Sequence, residues 1–216
     1  MKFKNILLVV FLCTIITSPA HAIIFINEIL ADPAAGISGD ANNDGTTSSK
    51  QDEFIELFND SNYSVNISGW FLTDATKTRH LFPTNSVISP YDYFIIFGGG
   101  NPEIPLSTWQ TASTKSLGFN NSGDTIRLFN NTSQLIDQVT YGKEGGKNQS
   151  LTYYPTGDGD FILHSDIPQA QGRLFSPGTD VDGIQKIQTV TTPELSSLAY
   201  LLMGLTGFLS KRKIKV

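Results

Sequence analysis

The chain of 216 residues holds one cysteine and three histidines. Cys13 lies in an apolar run near the amino terminus, so no thiol follows it. That excludes disulfide bonds, thiolate metal sites and cysteine nucleophiles from the rest of the chain. His80 and His164 are the only imidazoles beyond residue 21. Neither sits in H-E-x-x-H, in a His–Asn nuclease pair or in a serine triad, and G-x-S-x-G is absent. Gly98-Gly99-Gly100 leads into Asn101-Pro102 rather than a helix, so it reads as a turn and not as a phosphate cradle. Long hydrophobic runs occur only at the two ends.

The first run follows Lys2 and Lys4, covers residues 6–16 and is followed by Ala20-His21-Ala22. Cationic start, short apolar stretch and small-x-small site in that order predict a secretory signal peptide over residues 1–22. A buried amino-terminal strand is the competing reading. The mature part then has no cysteine, as suits a bacterial envelope protein. The second run covers residues 195–209, and Lys211, Arg212, Lys213 and Lys215 follow it. As a helix it spans about 22 Å, short of the roughly 30 Å hydrocarbon core, a gap that bilayer thinning or snorkelling closes. Its basic tail places the expected transmembrane helix with that end inside and the domain outside. An amphipathic helix packed on the domain is the alternative.

Residues 193–216 resemble the PEP-CTERM type of bacterial sorting signal, a Pro-Glu-Pro motif before an apolar helix and a basic tail. Pro193 and Glu194 match, whereas Leu195 stands where the third motif residue is proline. The resemblance implies an exosortase-like sorting enzyme as a partner, with permanent anchoring in the membrane as the other outcome.

Between the ends, residues 23–194 hold nine basic and all 20 acidic residues, a net charge of −11. Nucleic-acid binding needs Lys and Arg to displace counterions from phosphates, so no nucleic-acid partner is expected. The same charge attracts divalent cations or serves solubility alone.

Strand-like segments rich in Ile, Phe, Val, Tyr and Thr recur over residues 23–30, 53–58, 69–73, 93–97, 124–129, 134–141, 150–154 and 160–163. Asn/Asp/Gly/Pro turn signals separate them, and no window carries a sustained helical period. This pattern predicts an antiparallel sandwich or barrel. Residues 180–192 are polar and read as a tether. Trp70 is expected in the core beside Phe71 and Leu72. Trp109, within the irregular residues 102–116, reads as a loop anchor or an exposed stacking residue.

The order Ile26-Asn27-Glu28-Ile29, Asp52-Glu53-Phe54-Ile55-Glu56-Leu57, Ser68-Gly69-Trp70-Phe71-Leu72 resembles the lamin-tail domain family. So does the later order Phe97-Gly98-Gly99-Gly100, Leu117-Gly118-Phe119-Asn120-Asn121-Ser122-Gly123-Asp124, Val139-Thr140-Tyr141-Gly142, Gln149-Ser150-Leu151 and Ser176-Pro177-Gly178-Thr179. The resemblance implies an all-β, immunoglobulin-like antiparallel β-sandwich over residues 23–182. A polar linker then covers residues 183–192. Bacterial members are often exported and accompany nucleases or other hydrolases, and the family carries no agreed catalytic residues. Fold alone does not fix function.

The most specific chemistry lies in Asp40-Ala41-Asn42-Asn43-Asp44-Gly45, which fits the opening of a calcium loop, D-x-[DN]-x-[DN]-G. Ca²⁺ takes six to eight hard oxygens, so short side chains must alternate inward from a curved backbone. Gly45 permits the turn that brings round the Thr46 carbonyl. Position twelve, bidentate Glu in an EF-hand, is Gln51, and carboxylates follow at Asp52 and Glu53. The expected metal ligands are thus Asp40, Asn42, Asp44, Thr46, Asp52 and Glu53, binding Ca²⁺ weakly in a structural role. A metal-free Asx turn cluster is the competing account. Glu28, Glu53 and Glu56 form a second candidate carboxylate group on neighbouring strands. The function expected is a non-catalytic, exported, cell-surface module for adhesion or for contact with a surface or matrix protein or glycan. The alternative is an accessory substrate-binding module of a metal-dependent extracellular hydrolase of nuclease type, or that hydrolase itself.

Overall fold

The computed structural model describes residues 23–105, 107–156 and 159–184. The expected signal peptide, most of the linker and the carboxy-terminal helix lie outside the described residues. Twelve strands run in order: β1 Ile24–Leu30, β2 Phe54–Asn59, β3 Val65–Asn66, β4 Phe71–Thr73, β5 Thr78–Leu81, β6 Val87–Ile88, β7 Tyr93–Phe97, β8 Thr108–Thr111, β9 Asp124–Phe129, β10 Leu135–Tyr141, β11 Leu151–Tyr154 and β12 Asp160–Leu163. Four short 3₁₀ turns are the only helical elements among the described residues, and none is long and apolar enough to cross a membrane.

A six-stranded sheet has the order β12-β11-β1-β2-β7-β8, and a four-stranded sheet the order β10-β9-β4-β5. β3 and β6 form a separate pair. All pairings are antiparallel except β7 with β8. β8 is the clearest departure from expectation: Trp109, read as part of an irregular segment, sits on this parallel edge strand and is 37% exposed. Trp70 packs half-buried against the main core.

The core lies between the two sheets. Ile24, Ile26, Ile29, Ile55, Leu57, Phe94 and Ile96 from the larger sheet meet Leu72, Ile126, Leu128, Val139 and Tyr141 from the smaller. Each fully buried Leu, Ile or Phe contributes roughly 1.5–3 kcal/mol relative to exposure. Simple alternation along β1 would put residues 24, 26, 28 and 30 on one face. Instead a β-bulge between Ile26 and Glu28 shifts the register on β2, from Ile26↔Leu57 to Glu28↔Glu56. Ile29 thereby joins the core and Glu28 turns to the outer face.

That outer face is also covered, which is why every residue of β1, β2 and β7 is buried. Leu30, Ala41, Phe54, Ile95 and Phe97 form a second cluster under Ile104 and Phe175. Phe25, Phe58 and Tyr93 form a third under Tyr153. The cover includes the segment after β12. Ser176 N–H and Gly178 N–H donate to Glu28 and Glu56 at 3.0 and 2.6 Å. Tyr93 Oη donates to Asp180 at 2.7 Å. The first residues of the expected tether, 180–184, are therefore a turn bonded to the sheet, with Asp180 N–H donating to the Ile184 carbonyl.

Candidate metal centre

The loop between β1 and β2 folds back on itself through side-chain oxygens. Asp44 N–H lies 3.2 Å from Asp40 Oδ1 and 3.0 Å from Asn42 Oδ1, so both oxygens meet at one turn. Gly45 N–H donates to Asp40 Oδ2 at 2.9 Å and Thr46 N–H to Asp44 Oδ1 at 2.9 Å. Asn43 at φ 58° and Gly45 at φ 81° supply the left-handed curvature. Asp52 closes the loop from ten residues away. Its Oδ1 accepts from Asn42 N–H at 3.1 Å and its Oδ2 from Ser48 N–H at 2.7 Å. Burial raises the Asp52 carboxyl above its ordinary range, and the nearby charge of Asp40 adds to the rise against the N–H groups of Ser48 and Asn42.

The glycine triplet after β7 forms the other wall. Asn42 Nδ2 donates to the Gly99 carbonyl at 3.3 Å, and Asn101 N–H to Asp44 Oδ2 at 3.1 Å. At Gly100, φ 79°, a Cβ would lie 2.4 Å from Asn42 Nδ2 and 2.5 Å from Asp44 Oδ2. Glycine is needed there so that the backbone can approach the polar loop. The turn reading of residues 98–100 missed this packing, although a glycine triplet at a strand end is the signal for a close approach.

Of the six expected ligands, Asp40, Asn42, Asp44 and Asp52 are linked by hydrogen bonds to backbone N–H groups of one loop, that of Thr46 among them. Glu53 is engaged elsewhere: its Oε2 accepts from Gly118 N–H at 2.6 Å. Successive residues of an extended chain point to opposite sides, so Asp52 and Glu53 part company where β2 begins. Burial raises the Glu53 carboxyl to about 7, against the Gly118 and Phe119 N–H groups and the charges of Arg79 and Lys50. Among the described residues, no group of three or more His, Cys, Asp or Glu side chains is gathered in a way that could hold a metal ion. The loop's oxygens are satisfied here by backbone N–H groups. The donor set is nonetheless all hard oxygen, the chemistry that fits Ca²⁺ and not a nitrogen- or sulfur-seeking metal.

The second expected carboxylate group resolves into a pair. Glu28 and Glu56 are cross-strand partners and fully buried. Glu28 accepts from Ser150 Oγ at 2.5 Å and Ser176 Oγ at 2.9 Å. Glu56 accepts from Asn27 Nδ2 at 2.9 Å. Burial, then the charge of Glu28, push the Glu56 carboxyl well up. These groups hold the covering segment on the sheet.

Both imidazoles are buried. Ser113 N–H donates to His80 Nδ1 at 3.2 Å, which leaves the proton on Nε2, bonded to Gln110 Oε1 at 2.8 Å. Burial lowers the His80 pKa and keeps the ring neutral. His164 bonds the Arg173 carbonyl through Nδ1 at 3.0 Å and Ser176 Oγ through Nε2 at 2.9 Å. The rings join β5 to β8 and the covering segment to the turn after β12.

No curated protein sequence matches the chain. The lamin tail domain family model matches residues 17–143, more than half of its length. The match and the two-sheet all-β fold agree: this chain belongs to the lamin-tail domain family.

Proposed function

We propose that this chain is a non-catalytic exported module of a bacterial cell surface, with calcium holding the loop at Asp40. Its β-sandwich serves adhesion, or contact with a surface or matrix protein or a glycan. Residues 1–22 direct export. Residues 193–216 anchor the domain in the membrane on its extracytoplasmic side, or are processed by an exosortase-like enzyme.

The observation that carries the calcium reading is that Asp40 and Asn42 oxygens meet at Asp44 N–H while Asp52 accepts from the N–H groups of Asn42 and Ser48 in the same loop. Asp52 is buried, its carboxyl is raised, and Asp40 adds negative charge beside it. A divalent cation relieves that repulsion and supplies the positive charge that burial lacks. Support for a non-catalytic role comes from the two imidazoles, both buried and bonded through both ring nitrogens.

Thermal melting of the full chain in chelator and in Ca²⁺ tests the proposal. An extracellular-type Kd of about 10⁻⁴–10⁻³ M stabilises by about 1.4–2.7 kcal/mol at about 10 mM Ca²⁺, a rise of about 3–10 °C. Asp44→Ala abolishes that rise. Hydrolysis of a phosphodiester by the purified protein, lost in His80→Ala or Glu53→Ala, overturns the non-catalytic reading.

A further inference from the structure

The two sheets treat their outer faces differently. The larger sheet is covered, whereas the smaller one carries a row of apolar side chains across its outside. The pairings place Leu81 of β5 opposite Phe71 of β4, Phe71 opposite Phe129 of β9, and Phe129 opposite Leu135 of β10. All four point away from the core: Leu81 is 54% and Leu135 47% exposed, and both phenylalanines are half-buried. The Phe71 and Phe129 rings stack at 5.0 Å with 14° between their planes. An outer sheet face ordinarily carries polar residues, and a contiguous apolar stripe marks a contact surface.

The next row is polar and runs Thr78, Thr73, Arg127, Gln138 across the same four strands. Arg127 Nε donates to Gln138 Oε1 at 2.8 Å, which fixes the guanidinium over the sheet. A groove of about 500 Å³ opens here, lined by Phe71, Phe129, Thr73, Arg127 and Lys77 among others. The groove's one carboxylate, Asp74, is buried against Arg79. Neither Lys77 nor Arg127 is in an ion pair among the described residues. Among those residues, no Asp or Glu occupies an outward position of these strands. Asp137 instead turns inward and accepts from Ile26 N–H at 2.7 Å. In a domain of net charge −11, this face is locally positive.

We propose that the outer face of the four-stranded sheet binds an acidic glycan. Sugar rings lie along the apolar row Leu81–Phe71–Phe129–Leu135, hydroxyls bond to Thr73, Thr78 and Gln138, and a carboxylate or sulfate meets Lys77 and Arg127. The edges of the two stacked rings, with Leu81 and Leu135 beside them, form an apolar bed for the C–H side of a sugar ring, and the polar row next to it supplies the donors and acceptors that set orientation. A Debye length of about 8 Å at physiological salt screens the acidic residues of other faces. The inference builds on the surface-contact role proposed above and names its ligand class and surface.

The test is affinity electrophoresis and calorimetry of the full chain with polygalacturonate, dextran sulfate and uncharged dextran. Binding to an acidic polymer, weakened at least tenfold by Lys77→Gln and by Phe71→Ala and absent with dextran, is the expected result. Lys77 is exposed, so its replacement reads the site without unfolding risk. No binding to either acidic polymer, equal binding to dextran, or binding indifferent to both substitutions overturns the proposal. So does a dimer that Phe71→Ala dissociates, which assigns the row to a second copy. The calcium-induced melting shift is read on polymer-free samples of the same protein, because the acidic polymers themselves bind Ca²⁺. It survives a failure of glycan binding, so the two proposals fail separately.

Discussion

Glu53→Gln gives the sharpest test of how this fold handles buried charge. The residue is 5% exposed, and its carboxyl accepts from Gly118 N–H at 2.6 Å and is pushed up by burial to about 7 from the ordinary 4.5. The folded state therefore keeps this proton at pH values where the unfolded chain has released it. Below 4.5 both states are protonated and the group leaves stability unchanged. Between 4.5 and about 7 the folded state binds more protons, so stability falls as pH rises. Above about 7 both states are ionised and the wild type carries the whole cost. The interval of about 2.5 pH units at 1.36 kcal/mol each gives about 3 kcal/mol. Glutamine keeps an acceptor for Gly118 and cannot ionise. The stability of Glu53→Gln relative to wild type should thus rise by about 3 kcal/mol between about pH 4 and pH 8. Urea unfolding of both proteins at several pH values measures it. Taking the difference cancels Asp52, Glu56 and His80 to the extent that they titrate independently of Glu53. A difference that is flat with pH, or that falls, refutes the reasoning.

Other outcomes follow from the same contacts. Gly178 has φ 80°, and a Cβ there would lie 2.2 Å from Ser107 Oγ and 2.8 Å from Ser107 Cβ. Gly178→Ala should cost about 2–4 kcal/mol by urea unfolding. Gly172→Ala has φ 78° but nothing within 4 Å, and should cost only about 1–2 kcal/mol. Equal losses at the two sites would mean that the covering segment does not pack as described. Glu56→Ala removes the acceptor of two buried donors, Asn27 Nδ2 and Gly178 N–H, and should cost about 2–5 kcal/mol. Glu56→Gln keeps one acceptor and removes the charge beside Glu28. Its stability relative to wild type should rise with pH, since the Glu56 carboxyl is held well above its ordinary range.

Much of the fold was legible in single segments. β7, β9 and β12 run over the expected residues, and β1, β2, β4, β10 and β11 differ by one or two positions at their starts or ends. These strands carry β-branched and aromatic runs between clear turn signals. β3, β5, β6 and β8 have two to four residues each, with too few apolar positions to show a period. The bulge at Asn27 was hidden because Ile24, Ile26, Ile29 and Leu30 satisfy more than one alternation. The Asx turns at Asp40–Thr46 were legible because their spacing is local. The fate of Glu53 was not, since its partner Gly118 lies 65 residues away. The row Leu81–Phe71–Phe129–Leu135 draws one residue from each of four strands and exists only once their register is known.

The proposed calcium site would use side-chain oxygens of the Asp40 loop. Isothermal calorimetry of the full chain, titrated with Ca²⁺ into the millimolar range, addresses it most directly. Saturable heat near one ion per chain, with a Kd of about 10⁻⁴–10⁻³ M and lost in Asp44→Ala, is the predicted result. No heat at about 10 mM Ca²⁺, or equal heat from Asp44→Ala, contradicts it.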